Sequence, residues 1–153
     1  MTRITETSNP LNYNEYLEWR DTMGKFMMSF ARAEFIIMRG LLDHTNLYFE
    51  EIKNWSFKQR IQKLRKHTGQ IKLNNALGID ANYLEKIIAN LIRLNDTRNL
   101  IAHNPVDLAL DSLFGDKPYL EIRSPKNIAV TLEQLDKRLN ELNKWEYLLR
   151  EAI

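Results

Sequence analysis

Cysteine is absent from this 153-residue chain, so disulfide bonds and thiolate metal sites are excluded. Its five glycines are scattered, and the sequence has neither a glycine-rich phosphate loop nor a Gly-x-Ser-x-Gly nucleophile elbow. Its three histidines are never four residues apart, and no His-Glu-x-x-His pattern occurs. We therefore expect a protein with no metal site and no cofactor.

Long apolar runs are also absent, so no segment predicts a membrane span. The first ten residues are polar and lack the apolar centre of a signal peptide. The length fits one domain with a sizeable core. We expect a single domain over residues 1–153 that is soluble and cytoplasmic and has no membrane partner.

Acidic residues are missing from one long segment, between Ile52 and Ile79, although the net charge of the chain is only +2. Seven basic residues lie in this segment: Lys53, Lys58, Arg60, Lys63, Arg65, Lys66 and Lys72. Such a segment on a nearly neutral protein indicates a patch that faces an anionic partner. The alternative is a solvated helix face whose counter-charges come from other parts of the fold.

Apolar residues recur at helical spacing in four segments. The first helix is predicted to begin after Asn12 or Asn14 and to end near His44. A second begins near Ser56 and closes at Gly69, which would act as a left-handed cap. Their predicted inner positions are Tyr16, Met23, Met27, Phe30, Ile37 and Leu41 in the first helix, and Phe57, Ile61 and Leu64 in the second.

The third helix is predicted from about Asp80, a good capping residue, to just before Pro105. The last begins at Thr131, where Thr131 and Gln134 form a capping box. Their predicted inner positions are Leu84, Ile87, Ile88 and Leu91, and then Leu132, Leu135, Leu139, Leu142, Leu149 and Ile153. The turn-rich segment 106–125 predicts a loop or small hairpin. The predicted fold is therefore all-α, an antiparallel four-helix bundle with one insertion before the last helix.

The end of the third helix carries the most informative motif, in which Arg98 and Asn99 are followed by His103. Arginine offers a fixed fork of donors to phosphate oxygens, and histidine can exchange a proton near neutral pH. These residue types can act on a phosphodiester without a metal ion. Asn99 and His103 share a helix face, whereas Arg98 and His103, five residues apart, do not. The last two can meet if the helix ends near His103, or if a second subunit completes the site.

Two charged residues lie in line with apolar helix positions: Glu34 in the first helix and Arg98 in the third. A charge on a core face costs several kcal/mol unless it is paired, so we expect the two to pair where these helices pack. The pair is either a structural link between the helices or a device that orients Arg98 toward a phosphate. Asp96 is on the line of Asn99 and His103, where it either supports the histidine or is an ordinary surface charge.

The motif Arg98-Asn99-x-x-x-His103, late in a helix of a small helical chain, resembles that of the HEPN (higher eukaryotes and prokaryotes nucleotide-binding) family. In that family an arginine and a polar residue precede a histidine by a similar interval. Glu34 in the first helix and the Ser56-Phe57 helix start also resemble bacterial members. The resemblance implies a metal-independent endoribonuclease that acts as a homodimer on single-stranded RNA, with Arg98, His103 and Asn99 as the catalytic residues.

The resemblance further implies attack by a ribose 2′-hydroxyl on the adjacent phosphate, with His103 as general acid or base and Arg98 stabilising the transition state. Lys58, Lys63 and Lys66 would then be RNA-binding. A toxin or antiviral defence effector is implied, with an antitoxin or defence-system partner. HEPN toxins that are controlled by AMP attachment often have a tyrosine two positions after the histidine, where this chain has Pro105, so control by that modification is not expected.

Two other interpretations fit the same residues. In the first, the chain is a non-catalytic nucleotide-binding or dimerisation module, in which Arg98 and His103 bind without turnover. In the second, the motif occurs by chance and the chain is a helical interaction protein. Phe114 and Tyr119 in the insertion offer either base stacking or simple packing against the helices.

Overall fold

A computed structural model of the chain describes residues 13–74, 77–104, 106–109, 119–123 and 128–153, and in these ranges the protein is mostly helical with one small sheet. None of the described helices is both long and apolar enough to cross a membrane. The elements, in chain order, are α1 (Tyr13–His44), α2 (Phe49–Ile52), α3 (Phe57–Lys66), a 3-10 turn (Thr68–Gln70), α4 (Ala81–His103), β1 (Val106–Ala109), β2 (Tyr119–Ile122), β3 (Ile128–Thr131) and α5 (Leu132–Ala152).

Side-chain caps begin three of the long helices at the predicted residues. The side chains of Ser56, Asp80 and Thr131 accept hydrogen bonds from backbone amides of the first turns of α3, α4 and α5. At Ser56 and Thr131 a glutamine completes a capping box. The start of α1 is less clear from the sequence, because Asn14 lies inside the helix and Asn12 lies outside the described residues.

Gly69 does not close α3, so this prediction was wrong. The helix ends at Lys66, and Gly69 lies inside the 3-10 turn that follows. In the part of the chain that the structure describes, the only glycine with a positive φ is Gly78, at 66°. The short helix α2, between α1 and α3, was not predicted.

The core contains most of the predicted apolar positions. All the inner residues predicted for α3 and α4 are buried, and so are Phe30, Ile37 and Leu41 of α1. Tyr16 was predicted to face the core but is 46% exposed. The buried face of α1 instead begins at Trp19 and includes Phe26 and Ala33. In α5, Leu135, Leu139, Leu142 and Leu149 are buried, whereas Leu132 and Ile153 are half-buried.

Helices α1 and α5 pack side by side and run in the same direction. Thr22 Oγ1 donates a hydrogen bond to Asp136 Oδ1 at 3.2 Å, and Ser29 Oγ donates one to Asn143 Oδ1 at 2.7 Å, so residue numbers rise together along both helices. The predicted antiparallel order is therefore wrong for this pair. A parallel neighbour needs a long return connection, which is supplied here by α4 and the sheet.

Helix α4 runs antiparallel to α5. Arg138 contacts Thr97 and Arg93 contacts Glu141, so residue numbers fall along α5 as they rise along α4. This antiparallel packing brings the end of α4 close to the middle of α1 and the beginning of α3. The ring of Phe30 in α1 contacts that of Phe57 in α3, with centroids 4.6 Å apart.

The segment between α4 and α5 forms a three-stranded antiparallel sheet in the order β1-β2-β3, which extends the predicted small hairpin by a strand. Val106 pairs with Ile122 and Tyr119 pairs with Thr131. Leu120 and Ile122 of β2 are buried against the helices, and β3 runs directly into α5. Tyr119 is also buried, which matches the packing interpretation, while Phe114 lies outside the described residues.

Truncating Phe26 and Tyr16 of α1 should have opposite outcomes. We expect Phe26→Ala to lower the free energy of unfolding by about 3–5 kcal/mol, because the ring is fully buried. Tyr16→Ala should cost less than about 1 kcal/mol, because nearly half of that side chain is in solvent. Urea unfolding of both variants measures the difference. Equal losses would contradict the helix orientation described here.

Candidate functional site

A cleft of 820 Å³ opens where the last turn of α4 meets the beginning of α3. One wall is formed by the segment 55–58, the other by the C-terminal part of α4, and Glu34 of α1 lies on its border. The lining residues are Glu34, Trp55, Ser56, Phe57, Lys58, Asn95, Asp96, Arg98, Asn99, Leu100, His103 and Asn104. The volume falls in the range typical of small-ligand sites.

Arg98 is held in the cleft by Asn95, one turn earlier in α4. Asn95 is only 6% exposed, and its Oδ1 accepts hydrogen bonds from Arg98 Nη2 at 2.9 Å and from Nε at 3.2 Å. Hydrogen bonds to a charged group are stronger than those between neutral groups. The two bonds therefore fix the plane of the guanidinium and leave its Nη1 edge outside these contacts.

Two aromatic rings lie close to the same guanidinium. The Arg98 Cζ atom lies 4.9 Å from the centroid of the Phe30 ring and 6.0 Å from that of Phe57. A cation over the face of a ring is attracted to it, and more strongly where water is excluded. Both rings are buried, so the charge of Arg98 lies at the boundary between the core and the cleft.

The predicted pair between Glu34 and Arg98 forms, but it is loose. The distance from Arg98 Nη2 to Glu34 Oε1 is 3.4 Å, and the side chains are 20% (Arg98) and 28% (Glu34) exposed. Partly exposed pairs of this kind contribute little stability. Asn95 is therefore the stronger of the two polar partners of Arg98.

His103 is the last residue of α4, as Pro105 predicted, and its side chain is exposed. Asn104 follows in extended conformation, and its Nδ2 donates a hydrogen bond to the carbonyl of Leu100. Arg98, Asn99 and His103 all line the cleft, although five positions separate the arginine from the histidine. Among the described residues, the imidazole of His103 makes no hydrogen bond or ion pair.

Carboxylates from other parts of the fold pair with some residues of the basic segment. Lys53 pairs with Glu50 at 2.5 Å and Arg65 pairs with Glu85 at 2.6 Å. Arg60 donates to backbone carbonyls of residues 52 and 53. Within the described ranges, the three lysines predicted to bind RNA have no carboxylate partner: Lys58, Lys63 and Lys66. Of these, Lys58 lines the cleft and the other two do not.

Asp96 also lines the cleft and is exposed. Its carboxylate forms no ion pair within the residues that the structure describes. Its presence beside the motif is compatible with either of the two roles considered for it. In the same residues, no three histidine, aspartate or glutamate side chains are grouped as metal ligands.

Two residues of the site were missed by the sequence analysis. The sequence analysis gave Asn95 no role, although a polar residue three positions before an arginine on the same helix line is a signal for a buried partner. Trp55 lies immediately before the cap residue Ser56 and lines the cleft. A tryptophan next to a helix start within a basic segment could have been noted as a candidate ligand contact.

Comparison of the chain with protein-family models, with curated proteins and with solved structures gave no match.

Double-mutant cycles should rank the two polar partners of Arg98. For Asn95→Ala combined with Arg98→Ala we expect a coupling of about 1–2 kcal/mol, because two charge-assisted hydrogen bonds are lost. For Glu34→Ala combined with Arg98→Ala we expect less than about 1 kcal/mol, because that pair is long and partly exposed. Urea unfolding of the single and double variants gives both values. A larger coupling to Glu34 would show that the ion pair, not the amide, positions the guanidinium.

Proposed function

We propose that this protein is a metal-independent endoribonuclease of the HEPN type that cleaves single-stranded RNA. The observation that carries the proposal is that Arg98, Asn99 and His103 line one cleft at the end of α4. A fixed guanidinium and an exposed imidazole that line one cleft are suited to phosphoryl transfer, because the first binds phosphate and the second transfers a proton. The proposed reaction requires no cofactor.

In the proposed reaction a ribose 2′-oxygen attacks the adjacent phosphorus, and the bond from phosphorus to the 5′-oxygen breaks. One proton leaves the 2′-hydroxyl and one reaches the departing 5′-oxygen, so the products are a 2′,3′-cyclic phosphate and a 5′-hydroxyl. His103 performs one of these transfers. Arg98 stabilises the charge that develops on the phosphate, and the amide of Asn99 donates a hydrogen bond to a phosphate oxygen.

The contacts of Arg98 favour this role because they restrict its movement. Asn95 and the Phe30 ring hold the group in place before any ligand binds, so little ordering remains to be done when a phosphate arrives. Glu34 Oε1, 3.4 Å from Nη2, competes with a phosphate for the same cation. The weakness of that ion pair makes its replacement by a phosphate oxygen inexpensive.

A single histidine in each cleft leaves one proton transfer without a residue, and we propose that a second copy of the chain supplies it. One face of α1 is apolar and largely uncovered: Met28 is 64% exposed and Phe35 is 66% exposed. The residues of this α1 face alternate at spacings of four and three, as in paired helices: Gly24, Met28, Ala31, Phe35, Met38 and Leu42.

We propose that the α1 face binds a second copy of the chain. The charged residues at its two ends and its place next to the cleft both favour this occupant. Asp21, which pairs with Lys25 at 2.8 Å within the chain, and Arg39 flank the α1 face nine positions on either side of residue 30. Two antiparallel copies related by a two-fold axis there would place each Arg39 near an Asp21. Glu34, on the border of the cleft, lies at helical contact spacing from Ala31 and Met38 of the face. The two clefts would therefore lie on either side of one shared interface.

The lysines of α3 supply the charge that an RNA strand requires beyond the cleft. Lys58 lies in the cleft wall, and Lys63 and Lys66 follow on the same helix without carboxylate partners in the described ranges. We propose that the strand leaves the cleft along this helix and that its phosphates lie beside these side chains. An enzyme of this type needs restraint in the cell, and a toxin or antiviral effector held by an antitoxin or defence-system partner is the role that we propose.

The rival proposal is a non-catalytic nucleotide-binding or dimerisation module. The observation that favours it is that Arg98 contacts Glu34 and Phe30 of α1, and so links α4 to α1 as a purely structural residue would. This alternative also predicts nucleotide binding in the cleft or dimerisation, but without turnover. A cleavage assay therefore separates the two functions.

Replacement of His103 should abolish cleavage. We expect His103→Ala to lower the rate on single-stranded RNA, measured with EDTA present, by about 10²–10⁴-fold, because a proton transfer is lost. Arg98→Ala should lower it similarly, and the products of the unaltered protein should end in 2′,3′-cyclic phosphates. Product analysis by denaturing gel and mass spectrometry checks both points.

Two matched variants control this experiment. His67→Ala removes another histidine at a helix end, and Arg93→Ala removes another arginine of α4, neither of which lines the cleft. Both should cleave at the original rate. Cleavage that survives His103→Ala and Arg98→Ala would identify a contaminating nuclease, and binding without any turnover would favour the module.

Charge placed on the α1 face should dissociate the proposed dimer. We expect Phe35→Glu to shift the mass measured by light scattering from two chains to one, because each new carboxylate would be taken out of water in an apolar contact. Cleavage should fall with dimer content, since each site would lose its second histidine. Tyr147→Glu is the control, because Tyr147 is also an exposed aromatic residue but belongs to α5 and not to the α1 face. A monomeric but fully active protein would refute the shared site.

A further inference from the structure

Trp55 differs in its surroundings from the other two tryptophans of the chain. Trp19 is 1% exposed and Trp145 is 6% exposed, whereas Trp55 is half-buried and lines the cleft. Its side chain therefore packs partly against the core and also borders the cleft that His103 lines. An exposed aromatic surface inside a polar cleft is a natural contact for a flat ligand group.

The position of Trp55 is fixed by the backbone on both sides. Its amide donates a hydrogen bond to the carbonyl of Ile52 at 3.1 Å, which closes the turn after α2. The next residue, Ser56, is locked by the capping box with Gln59 at the start of α3. The backbone of Trp55 is thus held on both sides and its side chain packs partly on the core, which reduces the conformational freedom that a ligand would have to remove.

Other aromatic residues near the cleft cannot serve this purpose. Phe57 also lines the cleft but is 4% exposed, and its ring packs on that of Phe30. Phe30 is 1% exposed and its face is covered by Arg98. Tyr119, which the sequence offered as a stacking residue, is 4% exposed in the sheet. Trp55 is thus the one aromatic side chain with accessible surface among the described residues that line the cleft.

We propose that Trp55 stacks on an unpaired base beside the phosphate bound by Arg98, and that it thereby selects single-stranded over duplex RNA. The inference rests on the proposed function, since it assigns a nucleic-acid strand to the same cleft. A nucleotide combines an anionic group with a flat aromatic one, and the cleft offers the cations of Arg98 and Lys58 together with the indole of Trp55. Bases in a duplex are already stacked and paired, so they cannot stack on this indole.

Binding of a strand that cannot be cut tests the inference separately from catalysis. The probe is a short 2′-O-methyl oligouridine, whose blocked 2′-oxygen cannot attack the phosphate. We expect it to quench the tryptophan fluorescence of the protein, because a base stacked on an indole quenches its emission. Trp55→Ala should weaken binding about tenfold, as is typical of the loss of one stacked base. Trp55→Phe should retain most of the affinity and lose the quench.

Three controls sharpen this result. Trp145→Phe removes a buried tryptophan and should leave the quench intact. An otherwise identical strand with abasic positions should bind equally to the unaltered protein and to Trp55→Ala, because no base remains to stack. A duplex of the same length should bind equally to both proteins for the same reason.

The outcomes separate this inference from the proposed function. Equal affinity of the unaltered protein and Trp55→Ala for the oligouridine would overturn the stacking role, and cleavage by the His103 mechanism would be unaffected by that result. A tenfold loss in a protein that never cleaves RNA would support the stacking role and reject the nuclease. Failure of Trp55→Ala to fold moves the test to Trp55→Phe, where a quench that persists overturns the inference.

Discussion

The contact of the Arg98 guanidinium with Asn95 and the Phe30 ring is the interaction on which the remaining features of the site depend. Removal of a positive charge from water is costly, and here the cost is offset by two hydrogen bonds to one buried amide and by the face of a ring. Because Asn95 and Phe30 belong to different helices, the same contacts align α4 with α1. The orientation of the cation and the packing of the helices therefore have a common cause.

Most helix boundaries could be predicted from the sequence because the signals are local. Ser56, Asp80 and Thr131 cap their helices through hydrogen bonds that span three residues, and Pro105 marks the end of α4 in the same way. The direction of α1 relative to α5 has no such local signal, and it was predicted wrongly. It depends on pairs such as Ser29 and Asn143, and periodicity within one helix does not identify its partner.

The candidate site was predictable to the extent that it lies within one helix. Arg98, Asn99 and His103 lie in the last two turns of α4 and line one cleft. The partner Glu34 was found because a charge on an apolar line requires an explanation. Trp55 comes from a distant segment that reaches the cleft only through tertiary packing. Its place could not be inferred from spacing along the chain.

The pairing of α1 with α5 has a consequence for the synthesis of this protein. Thr22 and Ser29 each have their partner 114 residues later in the chain, so α1 cannot bury that side until α5 has been synthesised. Until then the incomplete chain exposes the side of α1 that packs against α5. Transiently exposed apolar surface promotes aggregation, so the nascent chain is open to non-native association until α5 is made.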